Sequence, residues 1–220
     1  MPETTTSCHG TKRRSGDLNV RGGCGRRTFE QSHVAGKSGA TEEMFWLNEP
    51  DAWELSDSGL WVHAMASTDF WRQTHYGYTR DSGHFFYRPV QGDFRASVKV
   101  SGDFSSQFDQ AGLMVRLDAD RWIKAGPEFV DGDLQFSVVA TNSVSDWSML
   151  PIGATGSILV SVQRAFDSVA VACSTAEGKS YQARLSYLDP AKSAMVGVMC
   201  CSPEGTGFHA SFSGLEFGPC

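Results

Sequence analysis

The stretch QAGLMVRLDADRWIKAGPEFVDGDLQFSVVAT, residues 110–141, constrains the fold more than any other, because its apolar residues share a side only as three consecutive antiparallel strands. In the first strand Ala111, Leu113 and Val115 point one way, and Gln110, Gly112, Met114 and Arg116 the other. A five-residue loop from Leu117 to Arg121 sets Arg116 opposite Trp122, Met114 opposite Lys124, Gly112 opposite Gly126 and Gln110 opposite Glu128. A two-residue turn at Asp131-Gly132 then sets Glu128 opposite Gln135, Gly126 opposite Ser137, Lys124 opposite Val139, Phe129 opposite Leu134 and Ala125 opposite Val138. The two hairpins agree in parity. One face collects Ala111, Leu113, Val115, Ile123, Ala125, Phe129, Leu134, Phe136 and Val138. The other collects Gln110, Arg116, Trp122, Lys124, Glu128, Gln135 and Ser137 around two facing glycines, which suggests a wet face with a bare floor on which a ligand can lie. Pro127 is discordant, since it cannot donate to a ladder; it predicts a bulge or an edge.

The rest of the chain repeats the signal. Trp53, Leu55, Leu60, Val62 and Ala64 alternate around an SDSG turn, and Phe94, Ala96, Val98 and Val100 alternate with Arg95, Ser97, Lys99 and Ser101. After residue 141 comes a loop containing Trp147, then SILVSVQR, AFDSVAVACS, KSYQARLSY, AMVGVMCCS and FHASFSGLEF, each bounded by Gly, Pro, Asp or Ser. Short strands at regular spacing, with no amphipathic helix longer than a turn or two, predict an all-β, two-sheet antiparallel sandwich of jelly-roll type.

Charge divides the chain unevenly. Residues 1–40 carry seven Lys/Arg against three Asp/Glu, and residues 41–220 carry 12 against 22, so the body is acidic and duplex nucleic acid is not an expected partner. The basic segment is rich in Gly, Ser, Thr and Arg and lacks apolar periodicity. It reads as a disordered leader over 1–43 ahead of one domain over 44–220, with Met44 an alternative start; acidic residues argue against a transit peptide. The six cysteines form no C-x-x-C pair, and the neighbours Cys200 and Cys201 face opposite sides of a strand, which reads as buried thiols in a reducing compartment. No apolar run is long enough to span a membrane, and no signal-peptide core is present. A cytoplasmic protein, monomeric or weakly dimeric, is expected.

Glu49, Asp51 and Glu54 satisfy E-x-D-x-x-E, the spacing by which jelly-roll glucanases put two carboxylates on one strand face. Pro50 breaks the strand between the first two, and Trp53 is too large for the position it holds, so a solvated loop over Trp53 is expected. His75, His84 and His209 would need to converge with carboxylates to hold a metal or act as a base, and DGD at 131–133 reads as a turn before a calcium loop. No metal or other cofactor is expected. The outer face of the three strands is either a charged ladder that keeps a sheet soluble or a sugar site. In the second reading Trp122 stacks on the apolar face of a pyranose while Gln110, Arg116, Lys124, Glu128 and Gln135 take its hydroxyls.

WLNEP at 46–50, DFWRQTHYGY at 69–78, GHFFYRPVQGDF at 83–94 and DQAGLMVRLDADRWIKAGPEFVDG at 109–132, in that order, resemble domain-of-unknown-function family DUF1349, which is grouped with the yeast regulation-of-enolase protein. The likeness runs from about Phe45 to Phe217. It implies a concanavalin A-like jelly roll of the lectin and glucanase type. The motif positions it carries over are Asn48, Glu49, Trp71, Thr74, Tyr76, Asp109, Gln110, Trp122, Lys124 and Glu128, with Pro127 standing where an aliphatic residue is usual.

Three functions follow as expectations. The first is non-catalytic binding of a glycan or sugar derivative on the concave sheet, with Gln110, Arg116, Trp122, Lys124, Glu128, Gln135, Trp71, Tyr76, His75 and Asp109 as ligand-binding residues. The second is a glycoside-active enzyme using Glu128 as acid/base, with Glu49, Asp109 or His75 as partner. The third is a regulatory domain of carbohydrate metabolism whose groove takes a protein partner.

Overall fold

In the computed structural model, which describes residues 43–153 and 156–220, every regular element is a β-strand. In chain order these are β1 (Phe45–Leu47), β2 (Trp53–Ser56), β3 (Gly59–Met65), β4 (Phe70–Arg72), β5 (Thr79–Asp81), β6 (His84–Val90), β7 (Phe94–Gly102), β8 (Gln110–Asp118), β9 (Arg121–Val130), β10 (Asp133–Asn142), β11 (Val144–Leu150), β12 (Ile158–Ala165), β13 (Ser168–Ser174), β14 (Ser180–Tyr187), β15 (Ala194–Cys201) and β16 (Gly207–Gly218). The expected disordered leader, apart from its last residue Glu43, and two of the cysteines, Cys8 and Cys24, lie outside the described residues.

Two seven-stranded antiparallel sheets form the jelly-roll sandwich. One runs β1-β6-β15-β8-β9-β10-β11 and the other β14-β13-β12-β7-β16-β3-β2, while β4 and β5 make a separate two-stranded hairpin. The main core lies between the large sheets, with Leu113, Val115, Ile123, Phe136 and Val138 of the first meeting Leu60, Val62, Val98, Val100, Val160 and Val171 of the second. Seven of the nine side chains expected on the apolar face of residues 110–141 are buried there; Leu134 packs against the core half-buried, and Phe129 is half-buried at its end.

The second hairpin has the expected register, with Glu128 opposite Gln135, Gly126 opposite Ser137 and Lys124 opposite Val139. Asp131 and Gly132 turn it with φ of 53° and 90°, both positive as a two-residue turn matched to the strand twist requires. The first hairpin keeps Gln110 opposite Glu128, Met114 opposite Lys124 and Arg116 opposite Trp122, but its loop is shorter than the five residues expected. Asp118 pairs with Arg121, and an irregularity after Arg116 absorbs Leu117 into the core. The Asp118 carboxylate closes this turn by accepting the Arg121 guanidinium and the Asp120 amide, and these bonds hold its pKa down at about 2.

Pro127 occupies a central strand and makes neither a bulge nor an edge. The β8–β9 register runs from Gln110–Glu128 to Leu113–Ala125 without gaining a residue, and the ladder lapses over the two positions between, where the proline has no amide to offer. The expected loop around Trp147 is instead strand β11, paired with β10 through an Asn142–Val144 turn. Cys200 sits in the main core and Cys201 on the opposite face, as adjacent strand residues must; Cys173 is also buried, whereas Cys220 is exposed. No helix among the described residues is long and apolar enough to cross a membrane.

A candidate site: the aromatic cleft above Glu128

The outer face of β8, β9 and β10 alternates as read from the sequence, but it is not wet. Met114, Trp122, Val139, Met199 and Cys201 on that face pack with Phe70, Trp71 and Phe85 into a second apolar core. The β4–β5 hairpin lies across it, held by two buried cations. Arg116 makes a bidentate pair with Asp81 of β5 at 2.6 and 2.7 Å, and Lys124 donates to the Phe70 carbonyl of β4 at 2.8 Å, with Asp69 Oδ1 at 3.5 Å. Removing two such groups from water is costly, and these partners offset it. Arg116 therefore holds the hairpin to the sheet and is not free to bind a ligand.

Trp122 has the same fate. Only 1% of it is exposed, its indole N–H donates to the Ala119 carbonyl at 3.2 Å, and its ring meets Phe70 with centroids 6.2 Å apart. It fills a core and offers no stacking platform. Nor do Gly112 and Gly126 form a floor. A Cβ on Gly126 would stand 2.0 Å from the Ala111 carbonyl oxygen and one on Gly112 1.9 Å from that of Ala125, so the space is taken by the facing backbone.

What remains open is a cleft of about 200 Å³ beside the hairpin, with Glu128, Gln110, Lys124 and Val139 of the sheet at its base. Its walls are aromatic: Trp71 of β4, Tyr76 and Tyr78 from the β4–β5 loop, Phe108 from the β7–β8 loop and Trp147 of β11. Trp71 and Trp147 stand perpendicular, 89° between planes with centroids 6.4 Å apart, and Phe108 meets Trp147 at 78°. Tyr76 lies edge-on to Trp71 at 5.5 Å and stacks on Tyr78. The loop bearing Tyr76 is bent by positive φ at Gln73 (59°), His75 (64°) and Gly77 (72°), and Phe108 also has φ of 66°. Left-handed backbone at non-glycine residues costs energy, so these two loops hold their shape against that cost.

Glu128 is the chemical centre. It accepts hydrogen bonds from Gln110 Nε2 at 3.2 Å and Trp147 Nε1 at 3.1 Å, and the same indole N–H reaches Ser137 Oγ at 2.9 Å. Burial raises its pKa; Lys124, Ser137 and Trp147 oppose the shift without cancelling it. No cation among the described residues makes an ion pair with it. Trp71 is fixed by its indole N–H on the Thr74 carbonyl at 2.9 Å.

Five of the residues expected at a site therefore line one cleft: Trp71, Tyr76, Gln110, Lys124 and Glu128. Gln135, though opposite Glu128, does not reach it, and His75 packs on Tyr76 from the solvent side of the loop. Asp109 is fully buried outside the cleft, where its carboxylate accepts from the Ser105 and Ser106 amides and from Ser202 Oγ at 2.6 Å; it shapes the turn that presents Phe108. Glu49, proposed as a catalytic partner, is spent on the Trp53 indole at 2.9 Å, and Asp51 and Glu54 are exposed beside it. Asn48 ties the Asp81 and Gly83 carbonyls together. The three histidines do not converge: His84 is buried between Asn48 O and Met65 N, and His209 stacks on Trp61 and His63 over the other sheet. No cluster of three or more His, Cys, Asp or Glu among the described residues is placed to hold a metal ion.

Sequence reading missed Asp69, Tyr78, Phe108, Trp147 and Glu204. Trp147 turns on the length of one hairpin: β11 pairs through Asn142–Val144 with Ser143 alone at the tip, which puts Trp147 beside Val139 on the face of Lys124 and Glu128, whereas a two-residue turn at Asn142-Ser143 puts it beside Val138 on the core face. A larger hollow of about 520 Å³ lies on the outer face of the other sheet over Ser97, Ser161, Ala170 and Ala172, but it is a shallow trough left by short side chains, and its charged members, Arg95 and Glu216, are exposed.

Residues 46–220 match the profile of the family described as "Protein of unknown function (DUF1349)". The chain is 36% identical over 184 residues to "Regulation of enolase protein 1" of Saccharomyces cerevisiae, covering 82% of this chain and 91% of that protein. A crystal structure of a functionally unknown Saccharomyces cerevisiae protein superposes with a TM-score of 0.77 at 35% identity, over 80% of this chain and 96% of that one. A variant of the GH43 protein BlXynB from Bacillus licheniformis superposes with a TM-score of 0.63 at 17% identity, over 80% of this chain and 37% of that one, a likeness of fold alone.

Proposed function

The chain belongs to the DUF1349 family, and on that premise we propose that it is a binding domain for a small carbohydrate or carbohydrate derivative, taken up in the aromatic cleft above Glu128. The observation that carries this reading is the convergence of aromatic walls on a buried carboxyl group and a primary amide. Rings at right angles give apolar surface for the C–H face of a sugar ring, and Glu128 and Gln110 give directional partners for its hydroxyls. Of the two stacking residues, Trp147 is held by Glu128 itself, so the platform and the polar group are set by one hydrogen bond. The likeness to a GH43 protein and the name of the yeast relative are compatible with a role around carbohydrates or in regulation.

The experiment is titration of the full chain with monosaccharides, oligosaccharides and sugar phosphates, followed by tryptophan fluorescence. A saturable change abolished by Trp147→Ala and retained in Trp122→Phe is expected. Silence across the panel, or binding indifferent to Trp147, sinks the reading.

A second reading rests on the raised pKa of Glu128 beside a second carboxyl group, Asp69, in the same cleft. A carboxyl group whose pKa is raised is the kind of proton donor that glycosidic cleavage requires. Turnover of a bound glycoside, lost in Glu128→Gln with binding retained, distinguishes an enzyme from a binding domain; binding without turnover leaves the first reading standing.

A further inference from the structure

Taking the cleft as the ligand site, we propose that the group it selects is a cationic ammonium, carried by an amino sugar or an alkylammonium compound, seated between the rings of Trp71, Tyr76 and Trp147 and over the Glu128 carboxylate. Three observations converge on this. An aromatic ring attracts a cation to its negative π-face, and Trp71, Tyr76 and Trp147 all line the cleft, Trp71 and Trp147 with their planes perpendicular. At the base sits Glu128, 4% exposed, whose hydrogen bonds come from neutral donors and which has no ion-pair partner among the described residues. A buried carboxylate wants a counter-charge, and Glu128 lines the cleft.

The charges around it leave that place open. Lys124 of β9 is directed at Asp69 and the Phe70 carbonyl, and Arg80 of β5 stacks on Tyr78 with its guanidinium 4.6 Å from the ring centroid. Glu204, from the β15–β16 loop, adds a third carboxyl group to the lining, so acids outnumber bases there by three to two. The field is felt at the wall: the Tyr76 hydroxyl is pushed up by burial and then by Tyr78, Glu204, Glu128 and Asp69. Cys201 of β15, the remaining titratable group near Glu128, stays a neutral thiol because burial raises its pKa well above the usual value.

A cation arriving beside Glu128 favours its ionised form. Burial raises the empty site's pKa, so near that pKa cation binding releases a proton and affinity rises as pH rises through it.

The test is calorimetric titration of the full chain and of Glu128→Gln with glucosamine, glucose, glucose phosphate, choline and the uncharged carbon isostere of choline. Choline keeps its charge at every pH, so its pH dependence reports the protein alone. Expected are glucosamine over glucose and choline over its isostere by about 10- to 30-fold, a choline affinity that rises with pH across the range in which Glu128 titrates, and loss of both charge preferences in Glu128→Gln. Which amine binds tighter separates an amino sugar from an alkylammonium ligand. Glucose binding as well as glucosamine, or glucose phosphate tightest, overturns the cation assignment and leaves the site reading intact. No binding by any of the five overturns both. Glu128→Gln keeps the shape of the side chain, and its melting temperature separates lost recognition from lost folding.

Discussion

Trp122→Ala distinguishes a buried side chain from an exposed platform more sharply than any other substitution. The ring is 1% exposed and fills the second core between sheet and hairpin. An indole side chain withdraws about 200 Å² from water, which at about 25 cal/mol per Å² amounts to about 5 kcal/mol. Residual compactness of the unfolded chain lowers the figure to about 3–4 kcal/mol. Loss of the hydrogen bond to Ala119 O adds little, since that carbonyl lies at a turn where water replaces the indole. The result agrees with the 3–5 kcal/mol typical of large aromatic deletions. For a domain of this size it lowers Tm by about 8–15 °C. Urea unfolding of the full chain, followed by far-UV circular dichroism, measures it directly, with Trp122→Phe losing about 1–2 kcal/mol as the graded control. A loss below about 1 kcal/mol accompanied by loss of ligand binding would refute the burial argument and restore Trp122 as a platform.

Gly126→Ala forces a Cβ within 2.0 Å of the Ala111 carbonyl oxygen and 2.7 Å of Gly112 Cα, so backbone must move; a cost above about 3 kcal/mol is expected, and an unchanged urea midpoint would contradict the close approach of β8 and β9. Asp81→Ala strands the buried Arg116 guanidinium, but Asp81 keeps 37% of its side chain in water, so the expected cost is about 2 kcal/mol; a double-mutant cycle with Arg116→Met showing no coupling would refute the staple. His84 Nδ1 donates to Asn48 O and Nε2 accepts from the Met65 amide, and desolvation lowers its pKa from 6.5. The unfolded chain then takes up a proton that the native state refuses, so His84's contribution is full above about pH 6.5 and fades as pH falls toward its lowered native pKa. In His84→Gln the fall in urea midpoint between pH 7 and pH 5 should be shallower, and identical slopes would remove His84 from that role. Burial raises the thiol pKa values of Cys173, to about 11, and of Cys200; peptide mapping after brief alkylation at pH 8 should find Cys220 labelled and these two protected until urea is added.

The cleft was half legible in the sequence, for a physical reason visible residue by residue. Gln110, Lys124 and Glu128 were placed on one face by parity, which needs only the alternation of a strand and the length of a turn. Trp71 and Tyr76 entered through the family likeness and not through any local rule. Trp147 lies in VSDWSML, which reads as a loop from the sequence alone but pairs as a strand with β10. Asp69, Tyr78 and Glu204 reach the cleft from segments with no periodic signal of their own.

The sequence by itself determined the all-β sandwich, the Asp131-Gly132 turn, the register of β8, β9 and β10 and the sidedness of each residue on them, because all follow from interactions between near neighbours in the chain. Only the tertiary structure decided what lies over the outer face. The Arg116–Asp81 and Lys124–Phe70 bonds join residues 35 and 54 apart, and they bring a hairpin across a face whose charged residues read as solvated. Alternation says that a side chain points out of a sheet. Whether it then meets water or another layer is a property of the whole chain's packing, and here it turned Trp122 from a platform into core and left Glu128 as the buried centre of a cleft.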